Sequence, residues 1–126
     1  MAKSIKEWLD QSEYDLATAQ IMRDSRRNFY AVFMCHMAIE KALKALSFHA
    51  TTVVPLKTHN LILLLSKAGT RPPTDIGEFI SALNQANVAT RYPDELTELI
   101  RIYTDNIADD IIRKSKDALA WIKNQL

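Results

Sequence analysis

Residues 29–50, FYAVFMCHMAIEKALKALSFHA, carry apolar side chains on nearly every side of a helix. A helix of that kind is stable in water only when other elements cover all of its faces. The remainder of the chain must therefore wrap it, and the fold expected is an all-α bundle with this segment at its centre. The chain has 126 residues, which suits one domain, 1–126, with a core large enough to close around such a helix. With only 2 glycines, tight hairpins and phosphate-cradling loops are disfavoured together.

The flanking segments supply the wrapping. Ser4 with Glu7 three residues on has the form of a capping box, and Ile5, Trp8, Leu9, Leu16 and Ala19 recur at helical spacing, so a helix is predicted over about residues 4–24. A polar break, RDSRRN, separates it from the central helix. After an extended connection around Pro55, Thr58 is placed to cap a short helix in HNLILLLSKA, which Gly69 ends. Thr74 or Asp75 opens a fourth helix that should stop just before Tyr92-Pro93. Residues 95–103 read as a short helix or an ordered loop. Thr104 or Asp105 starts the last helix, with Ile107, Ile111, Ile112, Ala118, Leu119, Ile122 and Leu126 as its apolar positions.

Charge and motifs narrow the function. The net charge of +1 imposes neither nucleic acid nor membrane, and no run reaches membrane-spanning length. Without an apolar signal core near the N-terminus, a cytoplasmic protein is expected. Cys35 stands alone, so no internal disulfide forms, and it reads as a small core residue. The phosphate-binding G-x-x-x-x-G-K-[ST] and G-x-G-x-x-G motifs, the H-E-x-x-H zinc motif and paired zinc-spaced cysteines are all missing; no cofactor and no metal are expected.

The polar residues of the central helix are the first candidates for a site. His36, Glu40 and Lys44 follow at i, i+4 and i+8 and share one stripe, with Lys41 beside it. A carboxylate in so apolar a helix needs a partner, and Lys44 or Arg91 are the candidates for Glu40. His36 with Glu40 also forms one edge of a metal site but lacks further ligands. The second candidate is the Arg91-Tyr92-Pro93-Asp94 turn. Arg91 offers a planar fork to phosphate and Tyr92 a ring face to a base; equally, Pro93 fixes a corner, Tyr92 packs on the bundle, and Arg91 pairs with Asp94 or Glu40. His59 is placed at a helix N-terminus, where it caps locally or meets an anion.

Three segments, CHMAIEKALKALSFH, KTHNLILLL and TRYPDE, in this order and spacing, resemble the HEPN domain, named for higher eukaryotes and prokaryotes nucleotide-binding. WLDQSEYDLATAQIM and SKDALAWIKNQL fit the same pattern, so the resemblance spans nearly the whole chain. It implies an up-and-down bundle of about four to five helices, a homodimer, and in prokaryotes a frequent pairing with a minimal nucleotidyltransferase in a toxin–antitoxin-like system. Many members are metal-independent ribonucleases that use an Arg-x4-6-His motif near the start of a late helix. No such spacing precedes His36, His49 or His59, and no histidine follows Arg91 or Arg101. The resemblance therefore implies a non-catalytic binding branch, with Arg91, Tyr92, Asp94, Glu40, His36, Lys44, Lys41 and His59 as ligand-binding candidates for a nucleotide or RNA. A ribonuclease toxin with a divergent site built from Arg91, His36 and Glu40 and a purely structural dimerisation module are the alternatives.

Overall fold

A computed structural model describes residues 3–92 and 94–126; within its helices the side chains of residues 88, 89 and 91 lie outside the description. Among the described residues the chain is all-helical, with six helices: α1 (Ile5–Asp24), α2 (Asn28–Thr51), α3 (Leu61–Ala68), α4 (Thr74–Arg91), α5 (Leu96–Ile102) and α6 (Asp105–Asn124). Four are long. The expected count of four to five is passed because α3 and α5, of 8 and 7 residues, both form.

The central helix is α2, which packs against α1, α3, α4 and α6. Ile39, Leu43 and Leu46 lie at its buried heart, and Ala31, Ala38, Ala42 and Ala45 are fully enclosed. Alanines at these positions let neighbouring helices approach closely, which maximises dispersion contacts. The core is completed by Leu16 and Ala19 of α1, Leu61 and Leu64 of α3, Ile80 and Leu83 of α4, and Ile112, Leu119 and Ile122 of α6. Only three residues join α1 to α2, so the two run antiparallel. Ser12 Oγ donates to the Ala38 carbonyl at 2.6 Å and locks that pair in register.

Local chemistry sets the helix ends. Ser4 Oγ accepts from the Glu7 amide, while the Glu7 carboxylate is engaged by Gln11. Thr104 caps α6 through the Ile107 amide, and Gly69 closes α3 at φ +70°. The start of α3 differs from expectation. Asn60, not Thr58, is the cap: its side-chain oxygen accepts from the Leu63 amide at 3.1 Å, and the Thr58 hydroxyl accepts from the Asn60 amide. Asn84 of α4 accepts from the Leu61 amide at 2.8 Å, and this tertiary bond fixes where α3 begins. Within residues 95–103 the chain forms the short helix α5, with Leu99 as its buried anchor.

Most of α2 is covered within the one chain. Its apolar perimeter therefore does not exceed what a single bundle buries, and the exposed large apolar residues lie mainly elsewhere, on the α2–α3 connection, α3 and α5. Cys35 is fully buried; loss of solvent pushes its thiol up to about 11, only partly offset by the Ser115 hydroxyl and by Lys116. No described helix is long and apolar enough to cross a membrane.

Candidate functional site

Glu40 is 3% exposed, one helical turn from His36 and one from Lys44. A carboxylate so enclosed persists only with donors around it. Lys44 Nζ lies 3.2 Å from Oε2, and His59 Nδ1 lies 2.7 Å from Oε1. His36 Nδ1 is 3.9 Å from the same Oε1. Three of the expected residues thus come together on Glu40: two through the i, i+4 geometry of α2, and His59 from the connection that returns to α3.

The position of His59 follows from the cap. Because Asn60 caps α3, His59 precedes the cap and its ring turns to α2 instead of serving the helix end. A carboxylate only accepts, so the hydrogen resides on Nδ1, and Nε2 is the ring nitrogen left to interact with something else. His59 is 53% exposed on its side chain, which makes it the most solvent-accessible member of the group. Lys44 is mostly buried, and its ammonium also lies 5.5 Å above the Trp8 ring of α1, whose other cationic neighbour is Lys3 at 4.4 Å. The indole face and the Glu40 carboxylate together offset the desolvation of that ammonium. Trp8 was visible in the sequence only as an apolar helix position; its distance in sequence from Lys44 conceals the contact.

Lys41 stands apart from this group. Its Nζ is 2.7 Å from Asp15 of α1, a buried carboxylate that the sequence reading did not single out. Lys41 is one residue on from Glu40, which turns its side chain by about 100° around α2, so it reaches Asp15 and not the Glu40 carboxylate. The Lys41–Asp15 pair is a tie between helices.

The Arg91 turn is placed only in part. Helix α4 ends at Arg91, the boundary implied by the following Tyr-Pro pair. The expected contact of Arg91 with Glu40 or Asp94 lies outside the described residues, as does Pro93. Tyr92 is 71% exposed, so its ring does not pack into the bundle, and Asp94 is exposed as well. Among the described residues no hydrogen bond or ion pair joins either of them to the Glu40 group. Nor does any group of three His, Cys, Asp or Glu side chains among them have the placement to hold a metal ion.

The arrangement can bind charge and hold a proton. It presents an imidazole oriented by a buried carboxylate, with a lysine ammonium on the opposite carboxylate oxygen. No protein with a curated description matches the chain. Two solved structures are similar along nearly its whole length. TT1696 from Thermus thermophilus has a TM-score of 0.84 and 26% identity, covering 97% of this chain and 98% of that one. ST0689, an archaeal HEPN homologue, has a TM-score of 0.78 and 29% identity, covering 98% of each. The HEPN domain model matches residues 5–125, from the first residue of α1 to the one after α6, taking in every helix and the whole Glu40 group; the chain belongs to the HEPN domain family.

Proposed function

We propose that this HEPN domain is a binding protein for a phosphate-bearing ligand, a nucleotide or a short RNA, taken at the Glu40–Lys44–His59 group. The observation that carries the reading is the meeting of Lys44 and His59, from two different elements, on one buried carboxylate. A ligand phosphate arriving at His59 meets an imidazole that becomes a donor at Nε2 once protonated, with Glu40 offsetting the charge and Lys44 nearby. Tyr92 supplies an exposed ring on which a base can stack, and Arg91 a guanidinium fork for phosphate. In this reading the protein works as a homodimer beside a separate minimal nucleotidyltransferase, and the Arg-x4-6-His ribonuclease chemistry is not part of its action. Calorimetric titration with adenosine 5′-monophosphate, adenosine and a short RNA tests it. Binding of the phosphorylated ligands but not of adenosine, weakened roughly tenfold by His59→Ala, is the expected result; equal heats for adenosine, or none for any ligand, refute it.

A second reading has its own support in the Glu40–His59 bond. An imidazole whose Nδ1–H is held by a carboxylate has the arrangement of a general base. It favours a divergent ribonuclease in which His59, and not only His36, stands beside Glu40. RNA cleavage abolished by His59→Ala establishes that reading over the first.

A further inference from the structure

From Lys41 to Thr74 the chain contains no aspartate or glutamate, yet it holds five lysines and arginines. Lys41 and Lys44 are consumed by Asp15 and Glu40. Lys57, Lys67 and Arg71 lie outside the core, and among the described residues no carboxylate lies within ion-pair distance of them. Between these cations sits apolar surface. The eight residues of α3, LILLLSKA, bury Leu61, Leu64 and Ala68 and turn Ile62 and Leu63 outward. The connection ahead of α3 adds Val53 at 64% exposure, Val54 and Leu56. A hollow of about 250 Å³ is walled by Val53, Val54, Pro55 and Leu56, with Lys67 on its rim. Five large aliphatic side chains exposed within eleven residues are more than scattered surface residues account for.

The complementary surface is on the same chain. Asp94, Glu95 and Glu98 fall within five residues at the start of α5. Glu98 is held by Arg101, while among the described residues no cation pairs with Asp94 or Glu95. Leu96 and Ile100, one helical turn apart, are exposed on the same short helix, Ile100 to 61%, and Ile102 follows. Within one chain α3 packs on α2 and α4, and α5 on α2, so both patches face outward. Each is apolar; the α3 patch is basic, and on α5, where Arg101 offsets Glu98, the charges left over are the acidic Asp94 and Glu95, so the net signs are opposite.

We infer that the two patches are the halves of one self-association surface: α5 of one copy lies on α3 and the 53–57 connection of a second copy, with a hydrophobic centre and a rim of Asp94 and Glu95 against Lys57, Lys67 and Arg71. Self-pairing of either patch opposes like charges, which leaves α3 against α5 as the favourable arrangement. Two such contacts, related by a two-fold axis, close a dimer. The inference rests on the reading that the protein works as a homodimer, and it specifies the surface. A flat anionic lipid surface also suits basic and apolar residues, but the walled hollow fits inserted side chains, and α5 has the acidic charge that a lipid site does not use.

The full-length protein is compared by sedimentation velocity with two charge-reversed variants, Lys57→Glu/Lys67→Glu and Asp94→Lys/Glu95→Lys, all at exposed positions; helical circular dichroism reports on folding. The wild-type protein is expected to be a dimer at tens of micromolar. Each variant alone is expected to dimerise at least tenfold more weakly, and the two mixed together should recover the wild-type dimer, since each then supplies the sign the other lost. A dimer equally strong in both variants overturns the α3–α5 surface and leaves the dimer reading standing. A monomeric wild type overturns both. A monomer that binds phosphatidylglycerol vesicles, and loses them with Lys57→Glu/Lys67→Glu, assigns the basic patch to lipid instead.

Discussion

Glu40 and His59 stand 19 positions apart in sequence and 2.7 Å apart in space, and their contact ties the middle of the central helix to the segment that leads into α3. It makes one carboxylate the junction of two elements. Replacing Glu40 by alanine leaves the Lys44 ammonium enclosed without its counter-ion. The expected loss is about 3–5 kcal/mol of folding stability. His59→Ala, at a half-exposed ring, should cost about 1 kcal/mol or less. Urea denaturation of the two variants checks the order; equal losses would mean that Glu40 is not the hub.

Asp15 and Lys41 link α1 to α2 at 2.7 Å, with the carboxylate buried. Asp15→Ala is expected to destabilise by about 3 kcal/mol. The double variant with Lys41→Met should recover part of that loss, because no buried charge is then left unpaired. A double-mutant cycle with no coupling between the two positions would refute the tie.

The Cys35 thiol is raised to about 11 from an ordinary value of 9.0, first by burial. The folded state therefore holds this proton more tightly than the unfolded one. The contribution to stability is fully present below pH 9 and is lost as pH rises toward 11. The full difference is about 3 kcal/mol at about 1.4 kcal/mol per pH unit. Cys35→Ala should show a shallower fall in stability between pH 9 and 11 than the wild-type protein. Under native conditions at about pH 8, below the raised value, iodoacetamide should label Cys35 only as fast as the chain opens.

Tyr92 follows the last residue of α4 and is largely exposed. Tyr92→Ala should change stability by less than about 0.5 kcal/mol while lowering affinity for a base-containing ligand. A stability loss well above that figure would make Tyr92 part of the corner's packing and remove it from the site.

Purified protein is expected to leave RNA intact beyond a buffer control, given that no Arg-x4-6-His spacing occurs. Cleavage that vanishes in His59→Ala, with helical content retained, would reverse this expectation and make Glu40–His59 a catalytic pair.

The sequence by itself determined the four long helices and their centre, while leaving residues 95–103 between helix and loop. The apolar perimeter of residues 29–50 requires burial whatever surrounds it, and Ser4, Gly69 and Thr104 act on backbone within a few residues of themselves, so their effects are legible locally. The pairing of Glu40 with Lys44 was legible for the same reason, since helical periodicity alone brings them together. Tertiary structure decided the rest. Asn60 displaced Thr58 as the cap of α3 where Asn84, 23 positions beyond Leu61, takes the Leu61 amide. Lys41 left the candidate site for Asp15, and His59 entered the Glu40 group from a neighbouring segment. Both outcomes depend on how α1 and the α2–α3 connection pack against α2. No spacing rule encodes contacts between elements, because they are set by shape and burial across the core, and there an enclosed charge takes whichever partner the packing brings within reach.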